Sequence, residues 1–136
     1  MDFVRIQSET TLSFVHFPLA RPAAYCWRRE ARNASAEVDY IVADGRTPVP
    51  VEVKAGTTGA MKGLHVFLAE KKRRFAVRLN ADALSFLPGV RLKDVRGRPV
   101  EFSLLSLPLY FVRQLPRLVR GVRASASARP VRPLSE

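Results

Sequence analysis

The sequence predicts an α/β fold, a sandwich built around a central hairpin. Three observations carry that expectation. Residues 36–42 and 49–54 alternate side-chain character with the period of a strand. Asp44-Gly45 stands between them as a hairpin signal, because both residues tolerate positive φ. An amphipathic stretch and another β-rich run then follow, the succession expected of an α/β sandwich.

Residues 3–17 carry apolar side chains at Phe3, Val4, Ile6, Leu12, Phe14, Val15 and Phe17. This reads as a helix reaching about Val15, weakened by Thr10, Thr11 and Val15 itself. Pro18 and Pro22 bound a loop. Residues 24–29 read as a first strand, and Ala31 to Ser35 as its polar turn. In the hairpin, Pro48 and Pro50 remove two ladder donors, which places the start of that strand near an edge or bulge. A helix follows from about Ala60 to Lys72, with Met61, Leu64, Phe67 and Leu68 as its apolar stripe. Residues 75–79 form the next strand. Residues 81–87 read as a short helical turn ended by Pro88-Gly89, residues 90–95 as a short strand or loop, and residues 100–107 as the last strand. Pro108 opens a helix with Leu109, Val112, Leu115 and Leu118 on one side, stopping at Gly121. The chain thus divides into one domain, 1–121, and a basic tail, 122–136, without apolar periodicity and expected to be disordered.

The hairpin also concentrates chemistry. Alternation puts Glu37 and Asp39 on one face, and Glu52 and Lys54 on one face of the returning strand. With Asp44-Gly45 as a two-residue loop, Glu37 falls opposite Glu52 and Asp39 lies one diagonal step away. Three carboxylates and Lys54 then gather on one side, provided no bulge flips the pairing. Three like charges at such spacing repel, and one lysine does not balance them. A divalent cation would, and carboxylate oxygens are hard ligands suited to Mg²⁺ or Mn²⁺. Lys54 would stand beside the attacking water, to orient or deprotonate it or to stabilise charge on a phosphate. A solvated face of an antiparallel sheet produces the same alternation. The combination E-x-D, hairpin, E-x-K is what favours a metal site.

Composition narrows the partners. The 136 residues suffice for one core, and 47% apolar content is that of a globular chain. Lys and Arg number 23 against 12 Asp and Glu, a net charge of +11 that attracts polyanions, nucleic acid first. Lys71, Lys72, Arg73 and Arg74 crowd the end of the predicted helix as candidate phosphate contacts, although cations there also suit the helix dipole. The single cysteine, Cys26, fits a reducing compartment, and no apolar run reaches membrane-spanning length. With no secretory leader at the N-terminus, the expected setting is cytoplasmic. Gly56 to Gly63 lacks the spacing and the hydroxyl of a Walker loop, so no ATPase activity is expected. His65 has no second His or Cys nearby and is not expected to bind metal.

The segments Tyr25-Cys26-Trp27-Arg28-Arg29-Glu30, Ala36-Glu37-Val38-Asp39-Tyr40, Val51-Glu52-Val53-Lys54-Ala55-Gly56 and Leu107-Pro108-Leu109-Tyr110 carry a resemblance. In this order they resemble the C-terminal domain of unknown function of predicted bacterial and archaeal AAA-type ATPases. That domain is similar in fold and motif to the PD-(D/E)xK nuclease superfamily. The likeness spans roughly residues 21–118 and leaves out the ATPase half. It implies a restriction-endonuclease-like core, a mixed β-sheet with a central hairpin flanked by helices, with metal held by Asp39 and Glu52, Lys54 catalytic and Glu37 accessory. The acid that the superfamily often carries on its first helix would fall on Glu9. The implied function is metal-dependent phosphodiester hydrolysis, with DNA the favoured substrate. The alternative is a non-catalytic module that binds nucleic acid or a protein partner, a separate ATPase included.

Overall fold

The hairpin does organise the molecule, with a turn one residue later than expected. In the computed structural model, which describes residues 3–5, 25–29, 36–54 and 60–127, strand β3 (Ala36–Asp44) returns as β4 (Thr47–Val53). Asp44 pairs with Thr47, so Gly45 and Arg46 form the two-residue loop. Gly45 alone takes positive φ (62°), the pattern of a II′ turn, in which the first central residue is glycine. Asp44 is instead kept in the strand, and its carboxylate receives Arg123 at 2.5 Å and Arg120 at 3.7 Å. Pro48 and Pro50 sit in the half of β4 that pairs with β3 alone, where a missing donor costs no ladder bond to a further strand.

Among the described residues, seven strands form one mixed sheet. The first two are β1 (Phe3–Arg5) and β2 (Tyr25–Arg29). After β4 come α1 (Lys62–Lys71), β5 (Phe75–Asn80), β6 (Ser85–Lys93) and β7 (Pro99–Pro108). A 3₁₀ turn (Leu109–Gln114) leads into α2 (Leu115–Ser127). The order across the sheet is β1-β2-β3-β4-β5-β7-β6. The strands β1 to β4 run as an antiparallel meander; β4–β5 and β5–β7 are parallel, and β6 returns antiparallel to β7 at the edge. Helix α1 is the crossover that a parallel β4–β5 pair requires.

Each helix covers one face. Under α1, Leu64, Phe67 and Leu68 meet Trp27, Val38, Ile41, Ala76, Phe102 and Leu104. Trp27 and Phe67 stack edge to face, with centroids 5.2 Å apart. Under α2, Leu115 and Val119 meet Val49, Val51, Val77, Leu79, Leu105 and Leu107. α1 seats very close to β3: a Cβ on Gly63 would lie 1.9 Å from the Glu37 carbonyl oxygen. Only glycine allows that approach.

Three expectations are corrected. Phe3–Arg5 is a strand paired with β2 rather than the start of a helix; the rest of that segment lies outside the described residues, as do the expected loops at 18–22, 31–35 and 56–59. Residues 81–87 do not form a helical turn; edge strand β6 begins at Ser85 and runs to Lys93, through the segment expected as a short strand or loop. Its side chains are mostly exposed, which erases the alternation that marks a half-buried strand. Pro88-Gly89 does not end the element; it makes a bulge within it, with Gly89 at φ 64°. Finally, α2 runs past Gly121 to Ser127. Val122 packs on the core and Arg123 ties to Asp44, interactions that outweigh one glycine's helix penalty of about 1 kcal/mol. Residues 128–136 lie outside the described residues.

Candidate functional site

A bulge decides which carboxylates meet. Tyr25 pairs with Ile41 and Trp27 with Val38, so Cys26 alone opposes both Asp39 and Tyr40. Two residues against one is a β-bulge, which re-aims side chains. Ala36 and Val38 pack under α1, so Glu37 between them points to the other face; beyond the bulge Tyr40 and Val42 pack on the α2 side. The expected gathering of three acids is therefore corrected. Glu37 is exposed and pairs with Arg28, its neighbour on β2, at 3.3 Å.

The register shift has the opposite effect on Asp39. The β3–β4 ladder runs from Asp44–Thr47 to Tyr40–Val51, and Asp39 and Glu52 are the residues that follow its last pair on the two strands. Val51 and Val53 belong to the α2-side core, so Glu52 lies on the α1 side. The Asp39 carboxylate also ends the ladder: its Oδ2 accepts the Val53 N–H at 2.7 Å. The Lys54 N–H then donates to the Leu79 carbonyl at 2.8 Å, passing the chain from β3 pairing to β5 pairing. Asp39, Glu52 and Lys54 thus stand together where β4 ends.

Glu52 is 6% exposed. Its Oε1 accepts Lys54 Nζ at 2.7 Å, while Oε2 is buried with no partner among the described residues. Burial pushes its carboxyl above the ordinary glutamate value; the Lys54 hydrogen bond pulls it down, and the charges of Asp39 and then Glu37 push it up again. The repulsion expected from the sequence is present, but desolvation is the larger cause.

The other predicted residues lie elsewhere. Lys71 closes α1 and Lys72, Arg73 and Arg74 follow it, whereas Gly63 at its N-terminal end packs on the Glu37 backbone, two residues before Asp39. A ten-residue helix rises about 15 Å, so this cluster serves the opposite end of the sheet. There Lys72, Arg73 and Arg74 join Arg91 and Glu101 around an open cleft of about 480 Å³. His65 packs its ring 5.8 Å from Phe102, and burial lowers its pKa although the charge of Asp94 opposes this. Glu9 lies outside the described residues. Among the described residues no group of three His, Cys, Asp or Glu side chains is arranged to hold a metal. No described helix is long and apolar enough to cross a membrane.

Two residues were missed by sequence reasoning. In register, Glu52 neighbours Arg78 on β5, and Arg78 neighbours Ser106 on β7. Val77, Leu79, Leu105 and Leu107 pack on the α2 side, so Arg78 and Ser106 share the α1 side with Glu52. Their polar character at alternate strand positions was visible, but nothing local paired β5 with β4 on one side and β7 on the other.

Neither a curated protein nor a solved structure matches the chain. A family model does match, over residues 14–92, which span β2 to nearly the end of β6 and include Asp39, Glu52 and Lys54. More than half of the sequence is covered, and the chain belongs to that family, the Domain of unknown function (DUF4143).

Proposed function

We propose that this domain is nuclease-like and hydrolyses phosphodiester bonds of DNA with Mg²⁺ or Mn²⁺ at Asp39, Glu52 and Lys54. The observation that carries the reading is the Glu52 carboxylate, with Oε2 buried and unpartnered beside the negative charge of Asp39. A buried carboxylate oxygen without a donor is the arrangement a hard cation would complete. Two protein carboxylates fit Mg²⁺, which commonly takes one or two and keeps water on its remaining positions. When bound, the ion supplies positive charge and Lewis acidity at the reacting phosphate. Asp39 and Glu52 would hold it, while Lys54, steadied by Glu52, would orient or deprotonate the attacking water. The reading sets the chain beside the PD-(D/E)xK superfamily with a restriction-endonuclease-like core. It also takes the chain as a counterpart of the AAA-type ATPase C-terminal domain, acting in the cytoplasm with any ATPase as a separate partner. Plasmid nicking, together with calorimetric Mg²⁺ titration, tests it. Asp39→Ala is expected to lose both cleavage and Mg²⁺ binding, and Lys54→Ala to lose about 10²–10³-fold in rate while keeping the metal. Equal cleavage by wild type and Asp39→Ala removes the reading.

The basic cleft at the far end of α1 favours a second reading, a module that grips nucleic acid through phosphates without cutting it. Binding in EDTA that weakens steeply with salt, and is lost when residues 71–74 are neutralised, would support it over the enzyme.

A further inference from the structure

We propose that Arg78 and Ser106 form a phosphate seat beside the carboxylate pair, and that its ligand is a phosphodiester of a nucleic-acid backbone. The identity of that ligand rests on the nuclease reading; the seat itself rests on three observations about the chain.

The first is position. Pairing runs Glu52–Arg78 between β4 and β5 and Arg78–Ser106 between β5 and β7, so the three side chains occupy one row. The second is facing. Their strand neighbours on either side pack under α2, which leaves the row on the α1 side that Glu52 already occupies. The third is lack of partners. Glu52 Oε2, Arg78 Nε and Ser106 Oγ are all buried, and none has a hydrogen-bond partner among the described residues. Ser106 is fully buried and Glu52 nearly so. Native proteins leave few buried polar atoms unpaired, and three in adjacent positions on one row mark a place where another molecule supplies the bonds.

The chemistry of the row points to an anion. The site's carboxylates repel a phosphate, so a substrate needs a cation that they have not already engaged. Lys54 is engaged, since its ammonium lies 2.7 Å from Glu52 Oε1. Arg78 forms no ion pair among the described residues. Its planar fork suits phosphate oxygens, two of which it can bond at once. The Ser106 hydroxyl adds a neutral donor one strand further on. The division of labour is then explicit: Asp39 and Glu52 serve the metal, Lys54 the water, and Arg78 with Ser106 the non-reacting oxygens of the substrate.

The test uses the full chain in EDTA, so it needs neither metal nor turnover. Inorganic phosphate and the dinucleotide TpT are titrated separately and followed by NMR, at the arginine Nε–H and backbone amide resonances. The expected result is a saturable shift at Arg78 and Ser106 with both probes. Affinity should fall about 10-fold or more in Arg78→Met, and several-fold in Ser106→Ala. Arg117→Met, exposed on α2 across the sheet, should bind as wild type does. Should Arg78→Met fail to fold, Arg78→Lys removes the fork while keeping the charge, and the same loss is expected. Identical titrations of wild type and these variants, or shifts confined to residues 71–74, would overturn the seat. Phosphate binding that excludes TpT would overturn the nucleic-acid assignment. Arg78-dependent binding without Asp39-dependent cleavage keeps the seat and retires the nuclease; the reverse outcome does the opposite.

Discussion

The two faces of the sheet are built from the same strands and hold different chemistry. On the α2 side, aliphatic residues from β4, β5 and β7 meet Leu115 and Val119, and no buried polar side chain interrupts them among the described residues. On the α1 side, an equally buried cluster centred on Phe67 shares its face with Glu52, Arg78, Ser106 and Asn80. Asn80 is satisfied, since its side chain donates to Asp82 at 2.8 Å; the other three are not. One face is devoted to cohesion. The other carries cohesion beneath the body of α1 and, along one row of strand positions, groups left open for a ligand. A site of this kind needs a rigid backing, and the α2 face provides it.

That contrast can be broken first through packing. Phe67→Ala on the α1 side should cost about 3–5 kcal/mol, and Leu107→Ala on the α2 side about 2–5 kcal/mol, read from urea unfolding. Comparable losses would mean both faces contribute cohesion equally and differ only in the polar row. A loss at Leu107 alone would mean the α1 face is not a core at all.

Gly63→Ala should cost about 3 kcal/mol, because the new methyl would meet the Glu37 carbonyl rather than a movable side chain. It should also weaken Mg²⁺ binding, since lifting α1 disturbs the bulge that aims Asp39. Lost stability with unchanged Mg²⁺ binding would show that the bulge does not depend on the helix.

Away from both faces, Asp94 provides a reference acid of opposite sign. It sits in the β6–β7 loop and accepts from the Arg96 and Arg98 N–H groups at 2.9 and 2.8 Å and from Arg98 Nη2 at 2.7 Å. Burial alone would raise its pKa, but these bonds prevail and hold it below the ordinary aspartate value. Its contribution is present above the unfolded pKa and is lost as pH falls through the folded one. Asp94→Ala should therefore cost about 3 kcal/mol at neutral pH and much less in strong acid, as paired thermal melts would show.

The smallest effect on stability is expected at Glu52. A raised carboxyl pKa means that the folded state binds more protons than the unfolded one just above the ordinary glutamate value. Stability then falls as pH rises through that window. Glu52→Gln should stay within about 1 kcal/mol of wild type and lose this part of the pH dependence. Mg²⁺ should raise the melting temperature of wild type near neutral pH and leave Glu52→Gln unmoved. A wild-type melt indifferent to millimolar Mg²⁺ would leave the polar row without a metal.

Much of this architecture was legible before folding. The hairpin strands, α1 and the strands at 75–80 and 99–108 declare themselves through period, because each face of a short element is set by neighbours a few residues away. The edge strand β6 did not, since exposure removes the contrast that makes a period visible. Asp39 and Glu52 were recognisable as a pair for the same local reason, the hairpin between them.

What the sequence by itself determined, then, is which residues alternate and which two acids a short turn brings near each other. What only the tertiary structure decided is their company. Moving the turn to Gly45-Arg46 left Asp39 and Glu52 just past the last β3–β4 pair, and the bulge against Cys26 turned Glu37 away. The parallel pairing of β4, β5 and β7 then brought Arg78 and Ser106 alongside from 26 and 54 residues down the chain. No local signal encodes such neighbours. They follow from where α1 can seat, and that is settled by a packing contact at Gly63 between segments distant in sequence.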